Sequence, residues 1–587
     1  MNRFFPLVMV VLAACGGGKD NPIEPVPNPH DITTLEPGEV RVLKPSDIPN
    51  GIDVGSVSGA RDFLIVVGNT AQSLTENVAS YVVRGNLGTG ASLSAAMSQA
   101  VSPQLAQLTE ALERAQAPQR QLEKRIRSFE RRSLRLSGRP RSLGAGGLSL
   151  SRSAAVAAVP QVGDQFDVKV PDGKGANLCQ DFIRTRAVVA SVGQRAVLAV
   201  DTLDGPPAGL FTQAEFDAIN AEFDNMTYPT DVAYFGTPTD IDANQRIIIL
   251  FTGEVNKLTP PQTPEGRGFV GGFFFAGDFF PPTAPPGQFA CPQSNQAEIF
   301  YLLAPDPLGI KYGNIRPAAS VLQGTRGTIA HEFEHMINAG LRYVGGVADD
   351  FEVAWLDEGL AHLGEEIVGR RVKGFSDLQS LSHSDVFPNE AARNDYNAFF
   401  FQNFARFRLW MQRPDTSSGI SEKAAENLSS RGAAWALVRY SADQFSSSDP
   451  RAFTRRLVAG PDTGLLNFNK VTATPLDTVL AGWLVANYAD DLPGLPVPSA
   501  RTQYRSFNLR SVMPPVNQSS GGGYPLKVET LSGGGTTSLT GTNRTGSGTY
   551  YILSVAANAG AKNVKVLNTG GSVVSYPGAH VYVLRVR

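Results

Sequence analysis

The sequence predicts an α+β chain: a mixed sheet followed by a helical second half, flanked by small all-β modules. Three observations carry this. Between 160 and 305, short apolar runs rich in Val, Ile and Phe alternate with turn residues. From 329 to 340, around 358, and from 392 to 490, apolar residues recur at helical spacing. Residues 38–90 and 505–587 are short strand-like runs broken by Gly, Ser, Thr and Asn. At 587 residues the chain exceeds what one core accommodates. Charges nearly cancel, with 52 Lys and Arg against 54 Asp and Glu, so no basic excess points to nucleic acid.

The first segment reads as targeting. Arg3 precedes an apolar run from Phe4 to Leu12, too short to span a bilayer as a mature helix. Leu12-Ala13-Ala14-Cys15 resembles a bacterial lipobox. That resemblance implies a signal peptide over 1–14, cleavage before Cys15, and a lipid on its sulfur. Membrane attachment on the extracytoplasmic side follows, at the outer membrane if the host has two, because Gly16 rather than aspartate comes next. A plain secretory signal with an incidental cysteine is the alternative. Residues 15–37 read as a flexible tether, rich in Gly, Pro and Asn over Gly16–His30.

Residues 38–92 form the first expected β-module, with strands at Val40–Leu43, Phe63–Val67 and Tyr81–Val83. Over 93–153, Leu105, Leu108 and Leu112 repeat at helical spacing, as do Leu122, Ile126 and Phe129, with Pro118 between them. The stretch is rich in arginine. It reads either as a connector with a solvated charged face or as a pro-segment with a protease-sensitive basic linker.

The region 154–500 carries the chemistry. Neighbouring strands are expected at Ala187–Val192 and Ala196–Val200, and a helix over Glu215–Phe223. A turn at Asp240–Arg246 feeds a buried strand, Ile247–Leu250. Asp240, Asp242 and Asn244 suggest a calcium loop but lack its later glycine and glutamate, so a plain turn is the better reading. The aromatic stretch Gly271–Phe275 reads as core or as a loop beside a substrate. A further strand covers Ala297–Leu303. The final region, 501–587, reads as a β-sandwich-like module.

His331-Glu332-Phe333-Glu334-His335 spells H-E-x-x-H on a helix that ends at Gly340. Residues four apart share a helix face, about 6 Å apart along the axis. Two imidazoles so placed can bind one zinc ion, with Glu332 beside it as general base toward an attacking water. Glu334 points away from that face. A solvated surface helix is the bland alternative. A catalytic zinc takes three protein ligands. Glu358, in Trp355-Leu356-Asp357-Glu358-Gly359-Leu360-Ala361, is the candidate third, against the alternative of an ordinary helix carboxylate. Cys179 and Cys291, the two cysteines besides Cys15, form a candidate disulfide in an exported chain; two free thiols are the alternative.

These two phrases together resemble the gluzincin zinc metallopeptidases and, within them, the hyicolysin family. Leu341 stands where the metzincin pattern needs a histidine, which excludes that branch. The resemblance extends to Asp240–Leu250, Arg431–Trp435 and Trp483–Asp491, and so spans about 155–490. It implies a zincin-like catalytic domain with one Zn2+ on His331, His335 and Glu358, and polypeptide substrates. It also implies an edge strand beside the zinc helix that receives the peptide, for which 297–303 is the candidate. His362 stands where thermolysin-type enzymes carry an aspartate that orients a zinc histidine, leaving Asp357, Glu365 or Glu366 for that task. Tyr440, Tyr396 and His383 are candidates for stabilising the oxyanion. The expected protein is a monomeric, lipid-anchored zinc metalloendopeptidase of the cell envelope. The alternatives are a zinc aminopeptidase and a non-catalytic surface binding protein on an inactive zincin scaffold.

Overall fold

A computed structural model describes residues 30–73, 77–86, 117–137, 160–202, 211–261, 269–286, 289–422, 427–496, 500–518, 522–531 and 536–587. The signal segment, Cys15 and the first expected helix, with Leu105, Leu108 and Leu112, lie outside these residues.

The central sheet has six strands. They are β5 (Gln165–Pro171), β6 (Phe182–Val192), β7 (Ala196–Asp201), β8 (Ile247–Thr252), β9 (Gly272–Phe274) and β10 (Ile299–Leu303). Their order is β5-β6-β7-β8-β10-β9. Strands β7, β8 and β10 run parallel, and the pairs at either end are antiparallel, so the sheet is mixed. All five residues of β10 are buried and all are apolar, as expected of a strand covered on both faces. Strand β10 is therefore interior, flanked by β8 and β9. The expectation that 297–303 forms the edge is corrected: the edge is β9, from the Gly-Phe-Phe stretch. The Asp240–Arg246 turn is held by its own hydrogen bonds, Gln245 N donating to Asp240 Oδ1 and Asn244 N to Asp242 Oδ1.

Helix α2 (Ala318–Tyr343) lies against β9 and β10, and α3 (Ala354–Lys373) packs on α2. Residues 329–340 of α2 are buried on every side, so this is a core helix rather than a surface one. It continues through Gly340 to Tyr343, three residues past its expected end, because packing on both flanks holds the last turn. Helices α4 (Phe401–Gln412), α5 (Leu428–Phe445) and α6 (Leu476–Ala489) complete the helical half. Gly359 is required where α3 meets α5: a Cβ there would lie 2.9 Å from Val438 Cγ2 and 3.1 Å from the Ala434 carbonyl oxygen. Cys179 and Cys291 are bonded, with Cα atoms 4.7 Å apart, closing a span of 112 residues.

The two β-rich ends do not form separate modules. Strands β1 (Val40–Leu43), β2 (Ile52–Val54), β3 (Arg61–Asn69) and β4 (Val78–Asn86) interleave with β11 (Val528–Leu531), β12 (Thr536–Arg544), β13 (Ser547–Val555), β14 (Lys562–Leu567) and β15 (Ala579–Arg585). One sheet runs β1-β15-β3-β13-β11 and the other β12-β4-β14-β2. Each half alone would leave β3 and β4 with unpaired edges; the other half supplies both neighbours. Residues 31–37, expected within the tether, belong to this body, since Ile32 and Leu35 are fully buried in it. Residues 509–516 form a helix rather than a strand. Among the described residues no helix is long and apolar enough to cross a membrane.

Helix α1 (Ala117–Ser137) comes from the arginine-rich region between the first β-strands and the central sheet. Its Leu122, Ile126 and Phe129 are buried, and Phe129 stacks near Phe275, Phe280 and Phe289. The helix is seated by this apolar stripe, with Glu123, Arg127 and Glu130 also buried, while Gln121, Lys124, Ser128 and Arg132 are exposed.

Candidate metal centre

His331 and His335 lie one turn apart on α2, and Glu358 faces them from the first turns of α3. The two imidazole Nε2 atoms are 3.1 Å apart. Glu358 Oε2 is 3.6 Å from His331 Nε2 and 4.0 Å from His335 Nε2. A tetrahedral zinc with arms of roughly 2.0–2.1 Å has edges of about 3.3 Å. The donor triangle is thus of the size that one such ion spans, and all three residues are buried. Two imidazoles and a carboxylate are a donor set suited to zinc.

The outward nitrogens face carboxylates. His331 Nδ1 hydrogen-bonds Glu365 Oε1 at 2.9 Å. His335 Nδ1 lies 3.2 Å from Asp357 Oδ2 and 3.6 Å from Glu334 Oε2. An Nδ1 partner fixes the ring and leaves Nε2 as the ligating atom. Of the three expected orienting carboxylates, Glu365 is so bonded, and Asp357 lies near His335 Nδ1 without a hydrogen bond to it. Glu366 is not so bonded: it accepts from Trp435 Nε1 and Arg370 Nε and ties α3 to α5. Glu365 also bonds His362 Nδ1 at 2.8 Å, while Arg406 Nη1 lies 3.1 Å from that nitrogen. The histidine in the expected aspartate position therefore braces Glu365, which carries out the orienting. Glu334 was expected to point away from the site. It is fully buried near His335, and burial together with the Asp357 charge raises its pKa well above the ordinary carboxyl value.

Glu332 reaches from α2 to the sheet edge, where Phe274 N donates to its Oε2 at 2.8 Å. Burial pushes its pKa up to about 7 against the lowering effect of His331. A carboxyl near neutrality suits proton transfer. Glu358 has the opposite bias: burial would raise it, but Arg431, His335 and Arg127 hold it well below the ordinary value. His335 is lowered by burial and by Arg127, so it is neutral and free to ligate.

Arg431 is the residue that sequence reasoning missed. Its phrase was noted, but its role was not. Its guanidinium on α5 pairs with Glu358 Oε2 and lies 2.8 Å from Glu123 Oε2 of α1. A buried arginine one residue before a glycine in a helix-crossing phrase is the only hint the sequence holds. The oxyanion candidates are not brought to the centre. Tyr440 is nine residues beyond Arg431 on α5, about 13 Å along the axis, and its hydroxyl donates to the Arg501 carbonyl at 2.6 Å. Tyr396 and His383 belong to an aromatic cluster with Phe387.

A buried pair of histidines on one helix with a glutamate from the next, beside a second glutamate at a sheet edge, forms a group that could hold one metal ion. The chain matches no protein-family model. It is similar to the neutral metalloprotease ShpI of Staphylococcus hyicus, with 28% identity over 222 residues. The aligned part is 37% of this chain and 45% of the relative, so the chain spans less than half of that protein's length.

Proposed function

We propose that the chain is a zinc-dependent metalloendopeptidase acting on extracytoplasmic polypeptides. The observation that carries this is the closed triangle of His331 Nε2, His335 Nε2 and Glu358 Oε2 beside Glu332. The similarity to a neutral metalloprotease supports the same reading. Glu365 and Asp357 would hold the two imidazoles so that both Nε2 atoms face the ion. Zinc, when bound there, supplies a Lewis acid for the scissile carbonyl and for activating water. Glu332 would take the proton of the attacking water on its carboxylate and return it to the leaving amine. The Gly272 carbonyl, on the open side of the edge strand, would pair with an extended internal stretch of substrate, while Phe274 N–H stays on Glu332. The lipobox-like phrase at Cys15 supports anchoring of the mature chain to a membrane from outside the cytoplasm.

Glu332→Ala tests the mechanism. Casein hydrolysis should fall on the order of 10³-fold while one equivalent of zinc is retained, because a base is lost and no ligand is removed. Turnover near that of the parent would reject this reading.

A further inference from the structure

Helix α1 does more than link two regions: it fills the space in front of the centre, residue by residue. At its start, Gln119 Nε2 donates to the Gly272 carbonyl at 3.1 Å, and Gly271 N donates to Gln119 Oε1 at 3.2 Å. One side-chain amide thus both donates to and accepts from the backbone at the start of the edge strand. One turn on, Glu123 lies 2.8 Å from Arg431. One turn further, Arg127 Nη1 is 2.8 Å from Asp357 Oδ2 and its Nε is 3.7 Å from Glu358 Oε1. Glu130 Oε2 accepts from the same Nη1 at 2.7 Å. Between these polar residues Leu122, Ile126 and Phe129 form one apolar stripe against the sheet-side aromatics.

We propose that α1 is an inhibitory segment of this chain that occupies the substrate cleft and sets the Arg127 guanidinium against the carboxylates of the metal centre. The proposal rests on the metallopeptidase reading and adds a control element to it. Three physical points support it. A guanidinium stays charged at any accessible pH, so next to Asp357 and Glu358 it is a fixed cation that repels an incoming divalent ion. A helix hydrogen-bonds its own backbone, so α1 covers β9 without offering an extended peptide for cleavage. The helix is also amphipathic in an unusual sense: its buried face carries Glu123, Arg127 and Glu130 beside the apolar stripe; Glu123 and Arg127 find partners at the centre, and Glu130 pairs with Arg127 on the helix itself. A connector helix with a solvated charged face would not bury them.

The test uses the full chain and three variants. Arg127→Ala removes the cation, Ile126→Asp undocks the apolar stripe, and Ser128→Ala changes an exposed position of the same helix as a control. Zinc affinity is read by competition with a chromophoric chelator, and turnover with an internally quenched peptide. The first two variants should bind zinc about tenfold more tightly and hydrolyse the peptide at least about tenfold faster, and the control should match the parent. Parent-like zinc affinity and turnover in both variants would overturn the proposal and leave α1 a structural helix. If Ile126→Asp loses its cooperative melting transition, Arg127→Ala decides alone, since it leaves the stripe of Leu122, Ile126 and Phe129 intact. Glu332→Ala in the Arg127→Ala background separates the two readings. Tighter zinc without turnover in any form rejects the peptidase and keeps the occupied cleft. Turnover in the parent that the helix variants leave unchanged, with unchanged zinc affinity, does the reverse.

Discussion

The helix pair α2–α3 and the two-sheet body are both well packed, yet they are built on different length scales. The donor atoms of the helix pair come from residues within 27 positions of each other, between His331 and Glu358. The two-sheet body joins residues from opposite ends of the chain: the hydrogen bond between Thr70 and His580 spans 510 positions. A motif on one helix face survives almost any arrangement of distant segments, because helical geometry alone aligns it. A sheet made of segments far apart in the chain depends on non-local pairing, which costs loop-closure entropy before it is rewarded. The two regions should therefore fail differently.

The largest effect is expected at the centre. Glu358→Ala should lower zinc affinity on the order of 10³-fold and abolish turnover, without lowering the melting temperature of the two-sheet body. Metal content by atomic spectroscopy and a thermal melt measure both; unchanged metal content would assign the third ligand elsewhere. The reciprocal test is Val581→Asp, which buries a charge in β15 with no partner nearby. It should cost about 3–5 kcal/mol in the body formed by the chain ends. Zinc affinity should change less than twofold if the regions are energetically separate. A parallel loss of metal would show instead that the chain ends hold the centre in place.

Smaller changes sharpen the picture within the catalytic region. Glu365→Ala frees the His331 ring and leaves Glu358 intact, so zinc affinity should drop roughly 10–100-fold. Glu366→Gln, which disturbs only the α3–α5 tie, should leave zinc affinity within a factor of two while lowering stability. Equal effects of the two on zinc would remove the distinction drawn between them. The smallest effect concerns Asp231, fully buried with neither carboxylate oxygen hydrogen-bonded. Burial raises its pKa well above the ordinary value. The folded chain therefore binds this proton more tightly than the unfolded one. Its contribution to stability is fully present below the ordinary Asp pKa and is lost as pH rises toward the folded value. Asp231→Asn should raise the melting temperature on the order of 1–3 °C at pH 8 and less at pH 5. A larger gain at pH 5 would reverse the assigned protonation.

Much of the region around the candidate metal centre was legible from the sequence because its signals are local. The His331/His335 spacing, the Glu358 helix, the β6–β7 pair and the strand at 247 each depend on residues close in the chain. What misled was position within the sheet. Residues 299–303 and 272–274 are both apolar strands, and apolarity does not say which lies at the edge. Strand order settles that, and strand order depends on which neighbour β10 finds. The boundary drawn at residue 37 likewise left residues 31–37 in the tether, although Ile32 and Leu35 find a core formed by distant strands.

By itself, the sequence determined the chemistry that one turn of helix can align: two imidazoles on one face, a glutamate between them, and a carboxylate on the next helix. Only the tertiary structure decided what surrounds them. It placed Glu365 rather than residue 362 against His331, Arg431 on Glu358, and Arg127 at the same carboxylate from a helix more than 200 residues earlier in the chain. The physical reason is that charges buried together must neutralise one another wherever they lie in the chain. Helical periodicity records which face of a helix is buried; it carries no record of what that face meets.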